Sequence, residues 1–258
     1  MTHFSADYGW RGTVGLISTP VIENAHVELA RVAPEGVGVY QTFPNVPNFQ
    51  VDATNIRRAV EQLETSATVL SNAGVDVIGQ VGTPFSFAGG TGLEWAQDIT
   101  QKMEKASGKP VAMMGLSIVE AMRDRGYKSV AISSTYYNRD LCERYTRFFE
   151  AAGVRVLTIK NWVDQERFPD EASMSPPKLW YPASYAYKSA REVAVEAPEA
   201  DCIIMSGAAV HTMDIIAPLE ADIGKPVISS DAAFFWKILS LLGIRETSGS
   251  WGSLLDSL

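Results

Sequence analysis

Short apolar runs rich in β-branched residues alternate along this chain with stretches of helical periodicity. Apolar runs of this kind, without strict polar alternation, are typical of strands buried on both faces, and therefore of a parallel sheet covered by helices. The predicted strands are Thr13–Ser18, Val37–Thr42, Asp76–Val81, Val111–Met114, Ser129–Ser133, Val154–Ile159, Asp201–Ser206 and Val227–Ser230.

The stretches between these runs carry apolar residues at helical spacing and end at glycines. The clearest covers residues 141–152, where the apolar side chains fall on one face and Gly153 follows as the stop signal. Two further stretches end in the same way at Gly126 and Gly243. Strands and helices in alternation predict an α/β fold.

The order of strands repeats within the chain. Gly108–Val111 recurs 116 residues later as Gly224–Val227, and Asp76–Gly82 matches Asp201–Gly207 at an offset of 125 residues. Two repeats are too few for a solenoid, so they predict a pseudo-symmetric pair of domains. We therefore expect two Rossmann-like α/β lobes, each with a parallel four-stranded sheet, and an active site in the cleft between them.

The repeat also predicts how the chain is divided. We expect residues 1–115 and 231–258 to form the first lobe and residues 116–230 to form the second. Residues 161–187 interrupt the alternation with a long segment rich in proline and aromatic residues, which predicts a lid over the cleft. Aromatic residues are equally typical of a subunit contact. The lid residues predicted to bind substrate are Trp162, Trp180 and Tyr181.

Composition narrows the class of partner. A net charge of −8 argues against nucleic acid and against an anionic membrane surface, but it leaves a small anionic substrate open. We find neither a signal-peptide pattern nor an apolar stretch long enough to span a membrane. Two cysteines and three scattered histidines favour a reducing compartment and no metal site. We expect a cytoplasmic protein without metal or cofactor, and we leave a homo-oligomer open.

In parallel α/β sheets, ligands bind beyond the carboxyl ends of the strands. Two facing lobes would therefore direct the residues after corresponding strands towards one shared cleft. The predicted lining from these strand ends is Gly82, Thr83, Gly207, Ala208, Thr19 and Ser134.

Three segments carry a family resemblance: Val81–Phe87, Ser133–Tyr137 and Met205–Gly207. With their surroundings they resemble the aspartate/glutamate racemase superfamily, in the branch that holds arylmalonate decarboxylase and maleate cis-trans isomerase. The resemblance covers roughly residues 12–243 and implies the two-lobed fold, catalysis without a cofactor and a small carboxylate substrate.

In that superfamily, two cysteines on opposite lobes act on the two faces of a carbon acid, and decarboxylases keep only the second. The resemblance puts these positions at Gly82 and Gly207, so this chain has neither thiol. Cys142 and Cys202 are expected in the core, since free cysteine behaves as a small apolar residue. The missing thiols argue against racemisation and against isomerisation through a thiol adduct.

The resemblance further implies oxyanion donors at Thr83 and Tyr137, supported by the amides of Gly207 and Ala208 at a predicted helix N-terminus. Pro84 stands where related decarboxylases have a hydroxyl residue, and proline also has no N–H. The family's full set of donors is therefore not expected here.

A proton-transfer enzyme without a cysteine needs another acid or base. His211 is predicted one turn into the helix after Gly207, and its imidazole suits general acid–base catalysis. Glu23 and His26 follow the first strand and are further candidates for the cleft. Asp231 fits a helix N-cap as well as a functional carboxylate.

Our leading functional hypothesis is a cofactor-independent lyase, resembling a decarboxylase, that acts on a small carboxylate or carbonyl compound through an enolate-like intermediate. A maleate-type isomerase is the next alternative. A hydrolase of an amide, lactone or cyclic imide, with His211 activating water, belongs to a second class. A non-catalytic relative that binds a small ligand is the third.

Overall fold

The computed structural model describes residues 8–21, 23–90, 92–174 and 181–258. It contains two parallel four-stranded sheets, with the strands in the order β2-β1-β3-β4 in one and β6-β5-β7-β8 in the other. The strands are β1 Gly12–Ile17, β2 Val37–Thr42, β3 Val77–Gln80, β4 Val111–Met113, β5 Ser129–Thr135, β6 Arg155–Asn161, β7 Cys202–Met205 and β8 Val227–Ser229.

Helices follow the strands and cover both faces of the two sheets. The helices are α1 Ala25–Val32, α2 Ala53–Val60, α3 Leu63–Asn72, α4 Gly92–Ser107, α5 Met114–Arg125, α6 Arg139–Ala151, α7 Ala183–Glu196, α8 Met213–Ile223 and α9 Ser230–Leu241. Within the described ranges, no helix combines the length and the apolar character needed to cross a membrane.

The predicted α/β fold with two pseudo-symmetric lobes is confirmed, and all eight predicted strands overlap observed ones. The clearest differences lie in the second lobe, where β5 continues to Thr135 and β6 to Asn161. The ladder extends because Thr135 still pairs with Asn161, and the Trp162 amide donates to the Thr135 carbonyl at 2.8 Å.

The internal repeat is visible in matching polar contacts at the start of the strands. In the first lobe, Asp76 Oδ2 accepts from the amide and the hydroxyl of Thr13 at 2.8 and 2.7 Å. In the second lobe, Asp201 Oδ2 accepts from the amide and the hydroxyl of Ser129 at 2.8 and 3.0 Å. The same side-chain bridge between neighbouring strands at corresponding positions supports the predicted duplication.

Helices α5 and α9 begin directly after the last strand of each sheet and pack along each other. Helix α9 also packs on β3 and β4, where Gly79 leaves room for Phe234: a Cβ on Gly79 would lie 2.6 Å from the Phe234 ring. This packing agrees with our placing residues 231–258 in the first lobe, although the exact division of the chain stays a prediction.

Candidate active site

A small cavity of about 30 Å³ lies between the carboxyl ends of the two sheets. Its first-lobe side is largely apolar, whereas tyrosine side chains and backbone come from the second lobe. The lining residues are Thr19, Val21, Glu23, Phe49, Val51, Ile56, Gly82, Thr83, Pro84, Phe85, Tyr136, Tyr137, Ala208 and Ala209.

Two glycines of nearly equal conformation stand at the ends of β3 and β7. Gly82 has a φ of +108° and Gly207 a φ of +106°, a backbone region that side chains disfavour. A Cβ on Gly82 would lie 2.5 Å from Thr19 Cγ2, and a Cβ on Gly207 would lie 2.7 Å from Tyr136 Cε1. Neither position therefore has room for a side chain without movement of its neighbour.

The end of β5 contains a strained turn at Thr135, whose φ is +56°. A positive φ is rare for a β-branched residue and points to a functional constraint. The Thr135 hydroxyl donates to the Ser206 carbonyl at 2.8 Å, which holds the turn in place. The turn brings the next two residues, Tyr136 and Tyr137, to the cavity wall.

Tyr137 is only 1% exposed, and its hydroxyl makes no hydrogen bond of normal geometry within the described part of the chain, although the Thr83 hydroxyl lies close enough to interact with it. Burial raises the pKa of this phenol well above its ordinary value, while the neighbouring Thr83 hydroxyl lowers it. Tyr137 is therefore a neutral phenol whose proton is available to a ligand oxygen.

Thr83 belongs to a short 3₁₀-helix, Thr83–Ser86, which forms the tight turn after Gly82. Its hydroxyl lies 2.8 Å from the hydroxyl of Ser230, the first residue of α9. The Ser230 oxygen also accepts from the Gly207 amide at 3.4 Å. Ser230 thus connects the ends of β3 and β7 beneath the cavity.

Glu23, on the loop after β1, brings a carboxylate to the cavity wall. Its Oε2 accepts from the Ala25 amide at 2.5 Å, and its Oε1 accepts from Gln41 Nε2 at 3.1 Å. His26 Nδ1 lies 3.7 Å from Glu23 Oε1, and its side chain is 40% exposed to solvent. Glu23 therefore joins the cavity to a histidine at the surface.

Two further carboxylates are fully buried near the cavity without lining it. Asp231 has no hydrogen-bond partner for either oxygen among the described residues, and burial raises its pKa well above the ordinary value, with the charges of Glu28 and Glu23 adding to the shift. Burial likewise raises the pKa of Glu28, although His211 lowers it. Burial therefore favours the neutral form of the Asp231 carboxyl group.

The predicted position of His211 is wrong. The chain makes a turn after Gly207, in which the Val210 amide donates to the Gly207 carbonyl at 3.3 Å, and α8 begins only at Met213. The amides of Gly207 and Ala208 consequently do not form a helix N-terminus. His211 is absent from the cavity wall; its Nδ1 lies 3.3 Å from Glu28 Oε1, and its side chain is 45% exposed.

The other predicted substrate-binding residues divide into three groups. Thr19, Gly82 and Ala208 line the cavity, and Gly207 adjoins it. Ser134 does not reach it, because its hydroxyl is buried between Cys142 Sγ at 3.1 Å and the Lys160 carbonyl at 3.0 Å. The predicted lid residues Trp162 and Tyr181 form the third group and do not line the cavity.

The described part of the predicted lid packs behind the cavity wall. Trp162 is fully buried, and the Tyr181 ring stacks on Tyr136 with the ring centroids 4.9 Å apart. Neither Trp162 nor Tyr181 touches the cavity, so both support Tyr136 rather than bind substrate directly. Trp180 lies outside the described residues. The cavity is covered instead by Phe49 and Val51 of the first lobe.

Both cysteines are buried and unpaired, as expected. Burial raises the pKa of Cys142 to about 11, and burial also raises the pKa of Cys202. Neither residue lines the cavity. Their thiols are therefore protonated at neutral pH and too far from the site to act as nucleophiles or acids.

Sequence reasoning missed Tyr136 and the apolar wall of Phe49, Val51 and Ile56. Tyr136 carried a signal, since it stands beside Tyr137 at a strand end. The wall residues come from the connection between β2 and α2, where the sequence has no periodic pattern.

Comparisons with known proteins agree with this architecture. The chain is 28% identical over 256 residues to the arylmalonate decarboxylase of Bordetella bronchiseptica, covering 95% of this chain and 96% of that protein. A crystal structure of arylmalonate decarboxylase superimposes with a TM-score of 0.78 at 22% identity, covering 95% of this chain and 100% of the other. A maleate isomerase from Pseudomonas putida superimposes with a TM-score of 0.77 at 21% identity, covering 95% and 98%.

These structural likenesses, at such low identity, bear on the fold. The family is shown by a separate finding, because the family model described as arylmalonate decarboxylase matches residues 49–255, which is well over half of the chain. The matched range includes both strand-end glycines, Thr83 and Tyr137. The chain belongs to the arylmalonate decarboxylase family.

Proposed function

We propose that this chain is a decarboxylase that needs no cofactor and acts on a malonate-type dicarboxylate through an enolate-like intermediate. One observation carries the proposal: the buried Tyr137 hydroxyl at the cavity wall makes no hydrogen bond of normal geometry among the described residues, and the hydroxyl close to it is that of Thr83, which lines the same cavity. Leaving a buried hydroxyl unpaired costs about 1–3 kcal/mol, so a ligand oxygen is its natural partner. Membership of the arylmalonate decarboxylase family supports the same substrate class.

Thr83 supplies the second hydroxyl of the proposed oxyanion site. Hydroxyl protons rotate to suit their surroundings. The Thr83 hydroxyl donates to Ser230 Oγ, which also accepts from the Gly207 amide; rotation of both hydroxyls, so that Ser230 donates to Thr83 instead, frees the Thr83 proton to point into the cavity. Two hydroxyls then face the oxygens on which negative charge develops. A single donor of this kind contributes about 3–4 kcal/mol to catalysis.

The apolar wall suits the carboxylate that is lost. Phe49 and Phe85 stack with their centroids 6.3 Å apart, and Pro84 beside them offers no N–H. A carboxylate against this wall loses hydration, which favours its departure as neutral CO₂. The same wall accommodates an aryl substituent. Because the cavity of about 30 Å³ is far smaller than the roughly 300 Å³ or more of a typical small-ligand pocket, we expect the segment carrying Phe49 and Val51 to move when substrate enters.

Two alternatives from the sequence have less support. Hydrolysis required His211 to activate water in the cleft, and His211 does not line the cavity. Isomerisation through a thiol adduct requires a cysteine, and neither cysteine reaches the cavity. The cytoplasmic location and a homo-oligomer stay predictions.

The test is incubation of the purified protein with phenylmalonate, 2-methyl-2-phenylmalonate, alkylmalonates, maleate and hydantoin in D₂O, followed by NMR. We expect CO₂ release from a malonate and one deuterium at the α-carbon of the product. Tyr137→Phe should lower kcat by about 10²–10³. Tyr145→Phe is the matched control, because it removes a buried hydroxyl, bonded to Ser206 at 3.2 Å, that does not line the cavity.

Other outcomes would contradict the proposal. Conversion of maleate to fumarate would indicate an isomerase, and ¹⁸O from solvent in a hydantoin product would indicate a hydrolase. A rise in Tm with a malonate, without turnover of any compound, would indicate a non-catalytic binder. Equal activity of Tyr137→Phe and Tyr145→Phe would remove Tyr137 from the mechanism.

A further inference from the structure

Loss of CO₂ leaves a carbanion that must take up a proton, and neither cysteine is placed to supply it. We propose that Glu23 delivers this proton to the α-carbon and is reprotonated from solvent through His26. The inference rests on the decarboxylase function proposed above and names the acid that this function requires.

Glu23 is the only carboxylate among the described residues that lines the cavity. Its side chain is 3% exposed, so it is sheltered from bulk water. The Ala25 amide holds Oε2 at 2.5 Å, and Gln41 Nε2 approaches Oε1 at 3.1 Å. These two donors fix the orientation of the carboxyl group at the cavity wall.

Glu23 reaches the second-lobe side of the cavity although it belongs to the first lobe. The next residue, Asn24, donates its amide to the Ala208 carbonyl at 2.9 Å and so ties the loop to the second lobe. Glu23 and Tyr136 line the same cavity. Tyr136 in turn covers Gly207. The loop that carries Glu23 therefore lies against the end of β7, where Gly207 and Ala208 offer no acidic side chain.

His26 provides a path to solvent. Its Nδ1 lies 3.7 Å from Glu23 Oε1 and 3.4 Å from Gln41 Nε2, so a small side-chain rotation brings it within hydrogen-bond distance of the carboxylate. The same imidazole lines an open surface pocket of about 470 Å³. Imidazole exchanges protons readily near neutral pH, which suits a relay between water and a buried acid.

Each turnover breaks one C–C bond and forms one C–H bond. The bond between the α-carbon and the departing carboxylate breaks, CO₂ leaves, and the electron pair stays on the substrate as an enediolate. The Glu23 O–H bond then breaks, and its proton forms the new C–H bond. His26 returns a proton to the Glu23 carboxylate and takes one from water, so each turnover consumes one solvent proton.

Two neighbouring groups are poorer donors. Tyr136 lines the cavity, but burial raises the pKa of its phenol above the ordinary value, which makes it a weaker acid. Asp231 is also an acidic group, but it does not line the cavity. Glu23 combines an acidic group, contact with the cavity and a solvent-exposed partner.

The test measures kcat, KM and product stereochemistry with 2-methyl-2-phenylmalonate for the wild type, Glu23→Gln, Glu23→Asp and His26→Ala. We expect Glu23→Gln to lower kcat by about 10²–10⁴ with little change in KM, and to give a racemic product because water protonates either face. Glu23→Asp should keep part of the rate and one enantiomer in excess. His26→Ala should keep the stereochemistry, lose rate, and recover on addition of imidazole, which reaches the surface pocket.

Glu28→Gln is the matched control, because Glu28 is also a buried glutamate beside a histidine but does not line the cavity. It should keep wild-type stereochemistry and turnover. Wild-type rate and stereochemistry in Glu23→Gln, in a variant that keeps its Tm, would overturn this inference alone. A wild-type protein that consumes no malonate would overturn the proposed decarboxylase function and this inference with it.

Discussion

At the ends of β3 and β7 the chain turns through glycines whose φ angles differ by only two degrees, +108° and +106°, and the residues that follow diverge. After Gly82, a 3₁₀-helix presents the Thr83 hydroxyl; after Gly207, Ala208 and Ala209 present mainly backbone. The phenol of Tyr137 comes from a different strand end of the second lobe. The two lobes therefore share a backbone turn but contribute different chemical groups, so the site is built by both lobes without being symmetric.

Helices α5 and α9, which follow the last strand of each sheet, differ at corresponding positions 116 residues apart. Helix α5 begins with Met114 and Gly115, whereas α9 begins with Ser230 and Asp231. The Gly82 amide meets Met114 Sδ at 3.4 Å, and the Gly207 amide meets Ser230 Oγ at the same distance. Polar residues at the start of α9 thus place a hydroxyl and a buried acid beneath the site, whereas α5 places apolar atoms there.

The largest expected effect is on kcat and concerns Thr83, whose hydroxyl directly follows the strand-end glycine Gly82. Thr83→Val keeps the shape of the side chain but removes the donor, so kcat should fall by about 10²–10³. Thr212→Val, which removes an equally buried hydroxyl bonded to Ser229 at 3.0 Å in the second lobe, should leave kcat close to wild type. Steady-state kinetics on a phenylmalonate would measure both. Equal losses would mean that the lobes contribute more evenly than we propose.

Because Gly82 and Gly207 adopt nearly the same backbone conformation, replacing either one by alanine should lower the free energy of unfolding. Gly82→Ala and Gly207→Ala each combine an unfavourable φ with a contact below 3 Å, so each should destabilise by about 1–3 kcal/mol beyond the cost of φ alone. Gly126→Ala supplies that reference, since its φ is +72° and nothing lies within 4 Å of the added Cβ. It should cost about 1–2 kcal/mol. Urea unfolding would measure all three. A cost at Gly82 or Gly207 no greater than that at Gly126 would contradict the close contacts.

The pH dependence of thermal stability tests the buried carboxyl group of Asp231 in the first turn of α9. The pKa of Asp231 is raised in the folded protein. As the pH rises above the ordinary pKa of aspartate, Asp231 therefore ionises in the unfolded chain before it ionises in the folded protein. The free energy of unfolding falls as a result. Asp231→Asn removes this loss. We expect a Tm gain of about 2–4 °C at pH 8, equivalent to about 1 kcal/mol for a chain of this size, and a smaller gain at pH 5. A gain that shrinks as the pH rises would show that Asp231 is charged in the folded state.

Regular periodicity and the internal repeat made most of the fold predictable. Apolar runs indicated all eight strands, and the repeated Gly-Lys-Pro-Val segment aligned the lobes, so the cleft followed from the position of the strand ends. Gly82, Thr83, Ala208 and Thr19 were predicted at the cleft on this ground and line the cavity.

The parts that were not predicted depend on irregular backbone. The position of His211 was wrong because a turn, rather than a helix, follows Gly207. The positive φ at Thr135 that directs Tyr136 to the cavity leaves no trace in apolar spacing. Trp162 was predicted to bind substrate but is buried behind the cavity wall. A segment rich in aromatic residues predicts packing, but it does not indicate which ring lines the cavity. Such residues are positioned by tertiary contacts that local sequence does not encode.

The smallest expected effect is on the pH-dependent stability contributed by Asp76 and Asp201, which make matching hydrogen bonds in the two lobes. Hydrogen bonds lower the pKa of both Asp76 and Asp201, so each carboxylate stabilises the fold above its unfolded pKa near 3.8, and this contribution is lost as the pH falls through the folded value. Both groups are exposed, so Asp76→Asn and Asp201→Asn should each cost only about 0.5–1 kcal/mol at pH 7 and almost nothing near pH 2.

The hydrogen bond that contributes most to the lowered pKa differs between Asp76 and Asp201, and this difference can be tested by replacing the donors. The Thr13 side chain is the largest cause at Asp76, whereas the Lys128 amide is the largest at Asp201. Thr13→Val should therefore remove more of the pH-dependent stability than Ser129→Ala does, when both are measured by urea unfolding at pH 3 and pH 7. Losses of equal size would mean that backbone donors hold both carboxylates, and the duplicated contact would then be closer to symmetric than its hydrogen bonds indicate.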